Sequence, residues 1–137
     1  MRTAIDCNII SAIWSGEESA SRVLVQLGKA KLEGALLISP FVFAELLAYP
    51  RATELFVREF LENAGVIVDY RLDERIWSEA GLRYARYGAR RRQATGEGTR
   101  RILADFLIGA HALVQAERLL TLDPERYRQD FPELLLF

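Results

Sequence analysis

Cysteine is almost missing from this chain: Cys7 stands alone among 137 residues. A single thiol excludes an internal disulfide and a thiolate cage for zinc. Histidine is equally scarce, with only His111, and Lys29 and Lys31 are the sole lysines among 18 basic residues. No apolar run approaches the roughly 20 residues of a membrane helix. Asp6 interrupts the first apolar stretch too early for a signal peptide, so the expectation is a cytoplasmic chain with no membrane association.

What is present is enough for one folded domain. Half the residues are hydrophobic and 27% are charged, a balance that supports a real core and excludes a disordered chain. No repeat or linker divides residues 1–137, which are read as one domain. The formal net charge of −1 hides an uneven distribution. Arginines at 83, 86, 90, 91, 92, 100 and 101 face a single acid in that interval, Glu97, so the remainder of the chain is strongly acidic. Arginine suits bidentate contact with phosphate, although a GC-rich genome produces the same bias.

The hydrophobic period switches repeatedly along the chain. T-A-I-D, G-A-L-L-I-S, G-V-I-V-D-Y and R-L-L-T-L read as strands, and E-L-L-L-F at the terminus as a short fifth. Between them, helices are expected over 19–32, 41–48, 51–63, 74–92 and 100–117. Ser19 and Asp73 suit N-caps, Pro40 a first turn and Gly65 a helix end. In 74–92, Ile76, Ala80, Tyr84 and Tyr87 form one apolar stripe. Q-A-T-G-E-G-T, 93–99, reads as a loop. Strands separated by helices imply an α/β fold with a parallel sheet of four to five strands and helices on both faces.

Ligands of such sheets bind outside the carboxyl ends of the strands, where strand order reverses. Asp6 and Asp123 each follow a strand and so belong on that rim. Glu45 and Asp105 are acids in otherwise apolar helices, where an unpaired charge is costly. Each has a plain structural explanation. Asp6 could cap a turn, Asp123 before Pro124 could cap a helix, Glu45 could be partly exposed, and Arg101 could reach Asp105 one turn away. Four acids on one rim nonetheless repel one another unless a cation binds between them. Oxygen donors without cysteine point to Mg²⁺ or Mn²⁺. His111, about 600° around the helix from Asp105, reads as a core residue rather than a ligand.

In order and spacing, D-x-N (Asp6, Asn8), V-F-A-E-L (Glu45), A-D-F-L-I-G-A-H-A (Asp105) and L-L-T-L-D (Thr121, Asp123) resemble a PIN-domain ribonuclease, the toxin half of a VapBC-type toxin–antitoxin pair. The resemblance covers nearly the whole chain and implies a single PIN-like domain with metal-dependent endoribonuclease activity. It implies that Asp6, Glu45, Asp105 and Asp123 are catalytic and hold Mg²⁺ or Mn²⁺, and that Asn8 and Thr121 orient ligands or substrate. On this reading Arg90, Arg91, Arg92, Arg100 and Arg101 draw in RNA, whereas a solvated helix end is the plainer account of 90–92. A cognate antitoxin and a homodimer are further implications, with Trp14, Phe41, Phe43, Phe56 and Phe60 available for interfaces or for the core. Two departures stand out: Cys7 replaces a usual threonine or serine, and Asp130 rivals Asp123 as fourth acid, Asp123 being preferred because it directly follows a strand.

Other acidic α/β sites fit less well. A phosphoacceptor receiver needs a lysine from a late strand, and both lysines precede residue 33. A haloacid-dehalogenase-type phosphatase needs aspartate at position 8, which is asparagine. A catalytically inactive PIN-like module that binds RNA or protein is the remaining alternative.

Overall fold

A computed structural model describes residues 1–93 and 100–137. The expected loop therefore lies, beyond Gln93, outside the described residues. Five strands, β1 (Thr3–Ile5), β2 (Leu36–Ile38), β3 (Val66–Val68), β4 (Arg118–Leu120) and β5 (Leu135–Leu136), form one sheet in the order β3-β2-β1-β4-β5. Every pairing is parallel. All residues of β1, β2 and β4 are buried, so both faces of the central sheet are covered, as an all-parallel sheet requires.

Two helices were not evident from the periodicity. The first, α1 (Cys7–Ser15), begins immediately after β1. Its N-cap is Asp6, whose carboxylate accepts the Cys7 N–H, and it ends at Gly16 with φ 61°. That left-handed turn is open to glycine without steric cost. The second is the single turn α7 (Glu125–Arg128), which follows Pro124.

The expected helices form with adjusted ends. In α2 (Ala20–Glu33), Ser19 occupies the cap position but its hydroxyl makes no capping bond. The Ser39 hydroxyl accepts the Val42 N–H at the start of α3 (Pro40–Leu47), with proline in the first turn. Next, α4 (Glu54–Ala64) starts three residues later than expected. Arg51 has φ 67°, outside the helical region, and Thr53 supplies the cap. Asp73 accepts the Ile76 N–H below α5 (Glu74–Gln93).

The helix α6 (Leu103–Gln115) also starts three residues later than expected, and is buried continuously from Phe106 to Ala112. Gly109 makes that burial possible. A Cβ there would lie 2.5 Å from the Phe131 ring, so only glycine lets α6 pack this closely on the C-terminal segment. The same ring carries Arg83, which is buried within the apolar side of α5 and paired with Glu133 at 2.6 Å and Glu79 at 2.9 Å. These contacts fasten α5 to the segment that follows α7.

Strand order reverses at β1, which lies between β2 and β4. Ile5 is in register with Leu120, and the Asp6 N–H continues the ladder to the Leu120 carbonyl at 3.0 Å. Asp6 and Thr121 are thereby placed side by side at the mouth of the crevice.

Candidate active site

Asp6 is 3% exposed and almost fully engaged. One carboxylate oxygen accepts the Cys7 N–H at 2.8 Å. The other accepts the Thr121 hydroxyl at 2.9 Å and the Tyr127 hydroxyl at 2.8 Å. Burial raises the Asp6 carboxyl above the ordinary aspartate value, against the pull of these three donors. The hydroxyl missing at Cys7 is thus supplied from two other places in the chain. Burial, with Glu45 and Asp6 adding to it, pushes the Cys7 thiol up to about 12, so it stays protonated and unreactive at neutral pH.

Thr121 is the hub of this arrangement. Its oxygen donates to Asp6 and accepts from the Asn8 amide at 3.3 Å and the Asp123 N–H at 3.1 Å. A hydroxyl has one donor and two acceptor sites, and all three are used. The Asn8 carbonyl oxygen also accepts the Leu122 N–H at 3.1 Å. Asn8 and Thr121 therefore lock the ends of β1 and β4 together and fix the orientation of Asp6.

Asp105 lies in the first turn of α6, where one of its oxygens accepts the Ile102 N–H at 3.1 Å. The expected partner, Arg101, does not reach it; that guanidinium turns to the Glu125 carbonyl at 3.3 Å. The partner is Arg126 on α7, 3.4 Å from Asp105 and 3.2 Å from Asp123. Glu45, on the exposed side of α3, has a carboxyl raised by partial loss of hydration and then by repulsion from Asp6 and Asp105, with Arg126 opposing. Thr121 thus links Asp6, Asn8 and the Asp123 N–H, Arg126 joins Asp105 to Asp123, and Glu45 on α3 feels the charges of Asp6 and Asp105.

Asp130 is drawn elsewhere. Its carboxylate is buried against Arg90, and its carbonyl accepts from Arg83 at 2.7 Å. Arg90 is correspondingly tied down. The other four arginines of the expected RNA-binding set, Arg91, Arg92, Arg100 and Arg101, line a cavity of about 570 Å³ with Tyr84 and Tyr87. His111 is core-facing, as expected, with its ring 3.0 Å from Asp69.

Sequence reasoning missed Arg126 and Tyr127. A signal for both existed in D-P-E-R-Y: a helix begun at Pro124 carries positions three and four beyond Asp123 back towards it. The pocket offers only oxygen ligands, the chemistry that suits Mg²⁺ or Mn²⁺. Among the described residues, no three acidic, histidine or cysteine side chains converge tightly enough to cage an ion as they stand.

The PIN domain family model matches residues 3–132. Among solved structures, VapBC-1 from nontypeable Haemophilus influenzae is similar with a TM-score of 0.66 and 19% identity, covering 100% of this chain and 97% of that one. VapBC2 from Rickettsia felis, bound to a DNA fragment from their promoter, gives 0.62 and 21%, covering 100% and 98%. FitAcB from Neisseria gonorrhoeae gives 0.63 and 19%, covering 98% and 96%. No curated protein matches the chain. With the family model spanning nearly its whole length, this chain belongs to the PIN domain family.

Proposed function

We propose that this protein is a Mg²⁺- or Mn²⁺-dependent endoribonuclease that hydrolyses RNA phosphodiester bonds, acting as the toxin of a toxin–antitoxin pair. The observation that supports this reading is the Arg126-bridged pair Asp105 and Asp123 beside Asp6, whose Thr121 partner also holds the Asp123 N–H, at the point where strand order reverses. Asp6, Glu45, Asp105 and Asp123 would hold the metal. A bound divalent ion supplies charge for the phosphate and lowers the pKa of water.

The chain's own residues prepare that chemistry. Thr121, Tyr127 and the Cys7 N–H hold Asp6 in one orientation, so little reorganisation is needed on loading. Arg101, which lines the arginine-rich cavity, directly precedes the cap of the helix bearing Asp105. Arg91, Arg92 and Arg100 are exposed there and would hold RNA backbone phosphate, setting affinity rather than base choice.

A cognate antitoxin and a homodimer complete the proposal. They are supported by the similarity to the VapBC structures and by an aromatic cluster in which Trp14 packs on Tyr49, Phe56 and Phe60, with Phe56 45% exposed. Among the described residues, no helix is long and apolar enough to cross a membrane.

The test is incubation of a folded RNA mixture with purified, antitoxin-free protein in Mg²⁺, in Mn²⁺ and in EDTA. Cleavage that requires metal is expected. Metal binding without cleavage of any RNA would favour the inactive binding module instead.

A further inference from the structure

We propose that Arg126 is a resident counter-cation of the acidic pocket, which an incoming divalent ion must displace, so that this one side chain sets the pocket's metal affinity. The inference rests on reading the pocket as a metal site. Arg126 bridges two acids that no backbone element joins: Asp105 in the first turn of α6 and Asp123 beyond β4. Its side chain is 34% exposed and that of Asp105 only 15%, so water screens this contact less than it would a surface pair.

The alternatives for this role are committed elsewhere. Arg101 is directed at the Glu125 carbonyl, and Arg90 is held by Asp130. Asp6 contributes a fourth nearby carboxyl besides Glu45, and its three partners are neutral donors. One guanidinium cannot neutralise four carboxylates, and the remaining negative charge is what attracts a divalent ion.

Competition follows from the geometry at Asp105. One of its oxygens accepts the Ile102 N–H and the other faces Arg126, so an ion ligated at Asp105 has the guanidinium as its neighbour. An ion that ligates Asp105 beside the guanidinium would sit against a like charge within a few ångströms. Departure of the Arg126 guanidinium relieves that repulsion and releases Asp105 and Asp123 together. A purely scaffolding arginine, one that only holds α7 so that Tyr127 can reach Asp6, predicts the reverse: removing it would loosen Asp6 and weaken metal binding.

Calorimetric titration of Mn²⁺ into the metal-free full chain and into Arg126→Gln separates the two. The expected result is binding to Arg126→Gln roughly tenfold tighter than to the parent at low ionic strength. It should be accompanied by a lower Tm without metal and a larger rise of Tm on adding Mn²⁺. Equal or weaker binding by a folded Arg126→Gln, with the parent still binding, would overturn the inference and leave the nuclease reading standing. Failure of both proteins to bind Mn²⁺ would overturn the metal reading and this inference with it. Should Arg126→Gln fail to fold, Arg126→Met decides, because it removes the charge while keeping most of the apolar stem that packs α7. Tighter binding by the methionine variant supports displacement, and equal or weaker binding overturns it.

Discussion

Asp6 and Asp69 occupy equivalent places, each immediately after a strand of the same parallel sheet and each nearly buried, yet they have opposite surroundings. Asp69 follows β3 and is paired with the Arg71 guanidinium at 2.8 Å, the Arg71 N–H at 3.2 Å and the His111 ring at 3.0 Å. Burial raises its carboxyl, but these partners outweigh burial and leave it below the ordinary aspartate value. Asp6 has only neutral hydrogen-bond donors and feels Arg126 without a direct contact, and burial leaves its carboxyl raised. Position at a strand's carboxyl end is therefore not sufficient for a site. A carboxylate whose charge the fold leaves uncompensated is the one positioned to take a cation.

That contrast can be sharpened by breaking each side of it. On the Asp6 side, Thr121→Val removes the hydroxyl that holds Asp6, Asn8 and the Asp123 N–H together. It should lower metal affinity or cleavage by about 10- to 100-fold, the usual cost of losing a group that orients a metal ligand. Titration calorimetry with Mn²⁺ alongside initial cleavage rates would check it. On the Asp69 side, Asp69→Ala leaves buried His111 without its acceptor and should cost about 1–3 kcal/mol of stability in urea unfolding. The cleavage rate per folded molecule should not change.

Smaller effects lie further out. Arg91→Ala combined with Arg92→Ala should weaken RNA binding and flatten the plot of log K against log salt by about 1.4, taking roughly 0.7 for each single-strand phosphate that is no longer neutralised. Fluorescence anisotropy over a salt series reads this directly, and an unchanged slope would make these arginines a solvated helix end. His111 supplies the mildest change. Burial lowers its pKa below the ordinary value despite the pull of Asp69, so the unfolded chain takes up its proton first as pH falls. Its contribution is complete above roughly pH 6.5 and is lost progressively from there down towards its lower folded value, at no more than about 1.4 kcal/mol per pH unit. Unfolding midpoints between pH 7 and pH 5 should be flatter in His111→Gln than in the parent.

The sheet, and the positions of Asp6 and Asp123 just beyond its strands, were legible because both depend on local pattern. Strand-length apolar runs alternating with helical periods gave five strands, and acids that broke those patterns marked the rim. Asp69 breaks the pattern in the same way, at the end of G-V-I-V-D-Y, and its different fate turns on His111, 42 residues away. Tyr127 meets Asp6 across a separation of 121 residues, a contact that no periodicity encodes. Arg83 interrupts the apolar side of α5 yet is buried, because Glu79, Glu133 and the Asp130 carbonyl satisfy it. The late starts of α4 and α6 follow from Thr53 and Asp105. Each satisfies backbone N–H groups at a helix start, a choice that propensity alone leaves open within a few residues.

The central claim is that the acids at the β1 crevice, which share the single guanidinium of Arg126, carry the chemistry, and that Asp69, which has Arg71 and His111 to itself, does not. The most direct measurement is the RNA cleavage rate in Mn²⁺ of Asp105→Asn and Asp69→Asn side by side with the parent, each verified as folded by circular dichroism. The account predicts no cleavage by Asp105→Asn and a parental rate for Asp69→Asn. Equal rates in the two variants, or cleavage that survives in Asp105→Asn, would contradict it.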